Sequence, residues 1–399
     1  MANILIITAV FPPEPVVSAS ISYDIADGLS KKNSVTVISP EPTRPYGFSF
    51  PQQQVTFNFA HIVARSYVHP QSGILGRFHE SHSFGKSCYN YIVKNCKNID
   101  LIYANTWPLI AQFYVVNAAK KGNIPVCVHV QDVYPESLSK KLPFIARAIN
   151  RILLPIDRYI LKNSNKIIVI SHKMKNYLSR SRNINTEKFH VIPNWQDEKV
   201  FTAGQVKAAK NANGPFVFMY LGNLGPVAGI DLLIKAFVKA NIKGTKLIIA
   251  GDGSVKQALI REANFFTNSL IDFLPVPSGK VAELQNTADV LLLPIKKDNA
   301  STSVPSKLSG YMYSAKPIIA CVPNDCDTAN VITEAECGYI VEPENEDLLA
   351  NTMKKIYRLN QSDLIRMGNN GRNYALQYLS KKENLPKVIS LMENLLLWK

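Results

Sequence analysis

Residues 302–320, TSVPSKLSGYMYSAKPIIA, decide the fold. They follow one apolar run, Val290–Pro294, and end in another, Pro317–Val322. The run VLLLP predicts a buried parallel strand, Ser301–Val304 a polar turn, Pro305 the first turn of a helix, and Lys316-Pro317 the stop before the next strand. In open parallel sheets small molecules bind beyond the carboxyl ends of the strands, and a helix start offers free N–H groups and a positive dipole end to an anion. Pro305, Ser306 and Lys307 add a hydroxyl and a cationic side chain there, which points to a phosphate-bearing ligand.

Upstream the same alternation continues. Strands are predicted at Phe216–Leu221, Lys246–Ala250, Ile271–Leu274 and Asp289–Pro294, with helices at Ile230–Ala240, Val255–Ala263 and Gly279–Thr287 between them. Residues 202–214, TAGQVKAAKNANG, are polar and small and read as a linker. Before it lies a second alternating set, with strands at Ile4–Thr8, Ser34–Ser39, Gln54–Phe59, Leu101–Ala104, Pro125–Val130, Lys166–Ser171 and His190–Ile192. Its helices are expected at about Ser20–Lys31, Gly85–Cys96, Leu109–Lys120, Ile145–Asn163 and Met174–Ser179. After the opening stretch, residues 347–359, 361–378 and Lys381–Leu397 are predicted helical, the last with Leu385, Val388, Ile389, Met392, Leu395 and Leu396 on its apolar side. The expected organisation is an α/β chain of two Rossmann-like, doubly wound domains facing a cleft: residues 1–200, residues 201–378, and a C-terminal helix, 379–399, returning to the first.

A chain of 399 residues is long enough for two cores. Its net charge of +15 is uneven: residues 1–200 carry 23 Lys and Arg against 12 Asp and Glu, and residues 201–399 carry 22 against 18. Such a field suggests an anionic partner. No finger-spaced Cys/His pairs, aromatic RNP-type strand or long Lys/Arg block occurs, so a membrane surface or phosphorylated substrate is favoured over nucleic acid. No run of eighteen apolar residues is present, and MANILIITAVFPPEP reads as a first strand, not a signal peptide. Six cysteines without a CxxC fit reduced thiols in the cytoplasm and not a metal site. The basic stretch Lys140–Arg182 includes a helix that interleaves Arg with apolar neighbours. It either lies on an anionic inner leaflet or is a core helix with a basic outer face.

In order along the chain, these stretches resemble the GT-B glycosyltransferases, and among them the retaining family 4 type that builds capsules, O-antigens and other bacterial surface glycans. The matching pieces are ILIITAVFPPEPVVSASISYDIADGL, DLIYANTWP, HVQDVYPES, IIVIS…VIPNW, YLGNLG…GIDLLIKAF, LIIAGDG, FLPVP…VAELQNTADVLLLP, VPSKLSGYMYSAKPIIA and MGNNGRNYALQYLS. The resemblance covers nearly the whole chain, and its specificity lies in the ordered set. It implies transfer of a sugar from a nucleotide-diphosphate donor, UDP being the commonest, to a glycan or undecaprenyl-diphosphate-linked acceptor, with no cofactor or metal required.

The implied donor-binding residues are Gly222, Asn223 and Leu224 in a strand-to-helix turn, Gly251 and Gly253 beside the nucleotide, and Phe273 and Pro275 in the segment whose backbone reads the base. Ser18, Thr302, Pro305, Ser306, Lys307 and Leu308 complete the set. His129 and Asp132, at the end of a strand, are the candidates for holding sugar and acceptor, and with Lys307 for catalysis. Each has a plainer alternative: a tight glycine turn, a solvated lysine, a serine cap, a structural histidine.

The chain also departs from the family's pattern. Where relatives place an Arg and a Lys after the glycine turn it has Asn223 and Ala228, which leaves Lys307 to oppose the diphosphate. Two glutamates eight residues apart are replaced by Thr302 and Gly310, so Ser301, Ser303 and Tyr311 are considered as neutral partners. Paired glycines after the first strand are replaced by Val16, Val17 and Ser18. Asp325-Cys326-Asp327 spells a DxD but reads as a surface loop, not a metal site. Two other functions fit the same fold: a nucleotide-sugar 2-epimerase, and a degenerate transferase acting as a non-catalytic partner.

Overall fold

The computed structural model describes residues 1–44, 50, 56–69, 73–105, 109–141, 143–204, 214–226, 228–266, 270–277, 279–296 and 305–397. The chain divides into two compact units, Met1–Trp195 with Lys382–Lys399, and Gln196–Lys381.

Unit 1 is built on a seven-stranded sheet. Its strands are β1 (Asn3–Thr8), β2 (Ser34–Ser39), β3 (Ala60–Val63), β4 (Leu101–Asn105), β5 (Val126–Val130), β6 (Lys166–Val169) and β7 (Phe189–Val191), in the order β3-β2-β1-β4-β5-β6-β7. All pairs are parallel, with Ile4 opposite Val35 on one side and Leu101 on the other. Parallel strands covered on both faces need apolar residues at every position. In β1, Ile4 and Ile6 join one core and Leu5 and Ile7 the other. The order reverses between β1 and β4, which makes the carboxyl edge there the switch point where open α/β sheets bind ligands.

The third strand differs from its expectation. Residues 51–55 lie outside the described set, Thr56–Phe59 is not a strand, and β3 begins at Ala60 instead. Phe57 and Phe59 stack on each other at 5.1 Å, and both pack on the Phe11 ring. An aromatic cluster thus mimics the alternation of a strand. The helix expected at Gly85–Cys96 begins at Ile74. Gly85 lets it press on the helix Leu109–Lys121, since a Cβ there would come 2.7 Å from the Ala111 Cα. The first helix starts earlier too, at Val17. The helix Lys381–Leu396 sends Val388, Leu391, Met392 and Leu395 into the core of unit 1. Trp195 is buried in that core, its indole N–H donating to Asp24 at 2.9 Å.

Unit 2 has six parallel strands, β8 (Phe216–Leu221), β9 (Thr245–Ala250), β10 (Ile271–Leu274), β11 (Val290–Pro294), β12 (Ile318–Cys321) and β13 (Gly338–Val341), in the order β10-β9-β8-β11-β12-β13. Its switch point lies between β8 and β11, and the helix Ser306–Tyr313 follows β11. Asp325-Cys326-Asp327 is not a loop throughout: Cys326 is buried and its sulfur accepts from the Ala329 N–H, capping the helix Asp327–Glu334.

Candidate functional site

At the carboxyl edge of unit 2 the backbone itself is crowded. β8 ends in Gly222-Asn223-Leu224-Gly225 and β9 in Gly251-Asp252-Gly253, and the two turns are laced together. Gly222 N–H donates to Ala250 O at 2.9 Å, Leu224 N–H to Asp252 O at 2.8 Å, and Val255 N–H to Leu224 O at 3.1 Å. At Gly251, φ is +143°, and a Cβ would stand 1.9 Å from the Gly222 carbonyl oxygen. Only glycine permits that approach.

The lacing corrects one expectation. The N–H groups of Gly222 and Leu224 already have carbonyl partners and are not available to a ligand. Asn223, exposed at the tip, keeps an N–H with no partner among the described residues.

Lys307 enters this edge from the second position of the helix Ser306–Tyr313. Its stem lies across Gly222, where a Cβ would come 1.9 Å from the lysine Cε. Its ammonium stands 5.3 Å from the centre of the Tyr220 ring, and the Tyr220 hydroxyl donates to Asn223 O at 2.8 Å. Burial pushes the Lys307 pKa down, and no carboxylate pairs with it among the described residues. A partly buried cation at the start of a helix, where the dipole opposes it, is stabilised by a bound anion.

The remaining donor-side residues differ in what they can offer a ligand. Ser306 is exposed at the first helical position, and Pro305, extended at φ −61°, occupies the cap position without a side-chain bond, so Ser306 is not the cap. Leu308 is turned away from any ligand: its side chain is fully buried and its N–H donates to Pro305 O at 3.0 Å. Tyr311 is likewise committed, its hydroxyl receiving the Leu221 N–H at 2.9 Å and donating to Leu221 O at 3.0 Å, so it does not replace a carboxylate. Thr302, with Ser301 and Ser303, lies outside the described residues. Phe273 packs its ring on the core, Pro275 is exposed, and Leu274 O accepts the Gly251 N–H at 2.9 Å.

Gly310 is filled from elsewhere. A Cβ there would meet Phe201 Cζ at 3.1 Å and Gln196 Oε1 at 3.4 Å, while Gln196 Nε2 donates to Ser306 O at 2.5 Å. Gln196 and Tyr220 were not among the expected site residues. Neither carries a local signal: one follows the last residue of unit 1, the other reads as a strand aromatic.

The carboxyl edge of unit 1 is made of side chains bonded to one another. Thr8 and Ser22 hydroxyls lie 3.0 Å apart, Asn105 Nδ2 donates to Ser22 at 3.2 Å, and Ser18 Oγ donates to Gln131 Oε1 at 2.5 Å. Ser18 is in the first turn of the helix Val17–Ser30, not in a loop. His129 is buried in β5 with Nδ1 2.7 Å from the Tyr103 hydroxyl, and burial drops its pKa to about 3. It stays neutral there, and its Nε2 is buried with no hydrogen-bond partner among the described residues. Asp132, half buried two residues beyond β5, helps to raise the neighbouring Tyr134 phenol, whose burial is the larger cause, to about 12.

Behind Asp132 stands an ionic cluster that sequence reasoning missed. Arg182, 2% exposed at its side chain, bonds Asp157 through Nε at 2.6 Å and Glu136 through Nη2 at 2.7 Å, and reaches Tyr134 O at 3.3 Å. Tyr177 donates to the same Glu136 at 2.7 Å. Arg182 thereby fixes the segment that follows Asp132. Another buried carboxylate, Glu14, accepts three backbone N–H groups from Phe11, Thr43 and Arg44.

Comparison with known proteins assigns both units. Residues 19–199 match the model described as Glycosyltransferase Family 4, and residues 204–374 match Glycosyl transferases group 1. A probable glycosyltransferase, WbjE, of Pseudomonas aeruginosa is 25% identical over 74% of this chain and 75% of its own length. A putative colanic acid biosynthesis glycosyl transferase, WcaI, of Escherichia coli is 24% identical over 68% of each chain. Among solved structures, sucrose-phosphate synthase from Thermosynechococcus elongatus shares the fold with a TM-score of 0.79 at 17% identity, covering all of both chains. HepE from Anabaena, solved with UDP, has a TM-score of 0.72 at 17% identity over 99% of this chain and all of its own.

Proposed function

The chain belongs to the GT-B glycosyltransferases, and on that premise we propose that it transfers a sugar, with retention of configuration, from a UDP-linked donor to a glycan or lipid-diphosphate-linked acceptor in bacterial surface polysaccharide synthesis. The observation that carries the donor half is Lys307, a partly buried cation with no carboxylate partner among the described residues, laid across a glycine turn at the switch point of unit 2. Departure of a nucleoside diphosphate leaves negative charge, and a fixed cation beside helix N–H groups stabilises it. The first-turn N–H groups of Ser306 and Lys307 and the Asn223 N–H, which have no partner among the described residues, are the donors proposed for that task. Because a protein cation offsets the charge, the scheme requires no metal.

UDP is supported by the relative solved with UDP, and the polysaccharide context by the relative named for colanic acid biosynthesis. The acceptor side is assigned to unit 1, with Asp132, two residues beyond β5, as its candidate carboxylate. The net charge of +15, concentrated in residues 1–200, suits an acceptor held at an anionic membrane face.

The test is turnover of UDP-sugars with and without lipid-linked glycan acceptors. Release of UDP only when acceptor is present is the expected result. Epimerised sugar without acceptor, or no turnover and no nucleotide binding under any condition, contradicts the reading.

A further inference from the structure

The helix Ala146–Asn163 of unit 1 has two stripes, and only one is used by the fold. Leu153, Ile160 and Leu161 are buried, and Ile149 and Ile156 pack beside them on the core. The other stripe starts in the short turn before the helix. Phe144 is 101% exposed, Ile145 52% and Ile152 65%. Phe144 and Ile145 lie in the turn that leads into the helix, and Ile152 lies on the helix's exposed side.

Between these apolar groups stand exposed Arg147 and Arg151, and further along the same face Arg158 and Lys162. The helix has one acid, Asp157, and it is buried against Arg182. The stripe therefore combines bulky apolar tips with guanidinium groups and no exposed carboxylate.

We infer that Phe144, Ile145 and Ile152, with Arg147 and Arg151, form the surface by which unit 1 docks on an anionic phospholipid bilayer. The helix lies in the plane of the interface: the apolar tips enter the acyl boundary and the guanidinium groups engage lipid phosphates. The charge pattern selects this occupant. A neutral protein groove would leave the arginines unpaired, and a second copy of the same stripe would set them against each other. This inference names the surface for the membrane-held acceptor of the proposed function and rests on that reading for its purpose, though not for its test.

The test uses the full chain without donor or acceptor, sedimented with vesicles of phosphatidylethanolamine and phosphatidylglycerol or of phosphatidylcholine alone. Binding to the anionic vesicles, weakened by salt, is expected. Arg147→Glu with Arg151→Glu lowers it by about tenfold or more, and Phe144→Ser with Ile152→Ser does the same. Lys235→Glu with Lys239→Glu, an equal charge change in unit 2, leaves it unaltered. All of these positions are surface ones, so melting midpoints check that the fold is kept. Phe144→Trp gives a second reading, its fluorescence quenched by brominated phosphatidylglycerol. Unchanged binding of both stripe variants, equal loss in the unit 2 control, or a stripe-dependent dimer without vesicle binding each overturns the inference. Vesicle binding with no sugar transfer would instead count against the transfer reading alone.

Discussion

The two carboxyl edges are constructed differently. In unit 2 the edge is backbone: the Gly222 and Leu224 amides donate to Ala250 O and Asp252 O of the neighbouring turn, Gly251 passes against the Gly222 carbonyl, and the Lys307 stem crosses the turn. In unit 1 it is side chains: Thr8, Ser22, Asn105, Gln131 and Ser18 share hydroxyl and amide bonds, with His129 and the Arg182 cluster beneath. Backbone turns of small residues leave room for a charged ligand to approach, and suit a constant group such as a diphosphate. A lattice of side chains holds a shape that differs from protein to protein, and suits the variable partner of the reaction.

That difference is open to direct attack. The largest effect is expected from Arg182→Ala, which leaves Asp157 and Glu136 without their cation. Loss of one member of such a buried cluster costs about 3–5 kcal/mol, read as a lower denaturation midpoint. A loss under about 1 kcal/mol would show that the unit 1 edge does not depend on its side chains. Gly251→Ala is the matching test in unit 2. The added methyl meets the Gly222 carbonyl at a φ of +143°, and a cost of about 3 kcal/mol is expected in the same measurement.

His129 gives unit 1 a pH dependence. Its folded pKa, about 3, is depressed by burial below the ordinary histidine value. Its contribution to stability is therefore fully present above about pH 6.5 and is lost as pH falls from there towards 3, because the unfolded chain binds the proton first. Between pH 7 and 5 the loss amounts to up to about 2 kcal/mol, and His129→Gln removes it. His61 and His190, also lowered by burial, add to this slope, while Asp157 and Glu14, whose carboxyls burial raises, oppose it, so the His129 share is read as the difference between wild type and His129→Gln. The smallest effect is expected at Ser306→Ala: the side chain is exposed and caps nothing, so the midpoint stays within about 0.5 kcal/mol. A larger drop would give unit 2 a side-chain dependence that the comparison denies it.

The sheet cores were legible because parallel strands buried on both faces are continuous apolar runs, as in VLLLP and ILIIT. β3 was not, since half-exposed AHIV lacks that signature and the neighbouring phenylalanines imitate it. Gly222, Gly251 and Lys307 were legible as a group from their place after strands and at a helix start. What each could offer was not. The amides of Gly222 and Leu224 are engaged by a turn that arrives only after another helix and strand, and Gly310 is filled by Gln196 from the far end of the unit. His129 Nδ1 is engaged by Tyr103 of the adjoining strand. Local sequence shows that a polar residue ends a strand; the fold decides whether its atoms are free.

The central claim is that Lys307 and the glycine turn of unit 2 hold a nucleoside diphosphate. Calorimetric titration of UDP into the wild-type chain and into Lys307→Ala tests it most directly. Binding by the wild type, a dissociation constant raised about tenfold or more in the variant, and unaltered melting midpoints are expected. Equal affinity in the two proteins would contradict the claim.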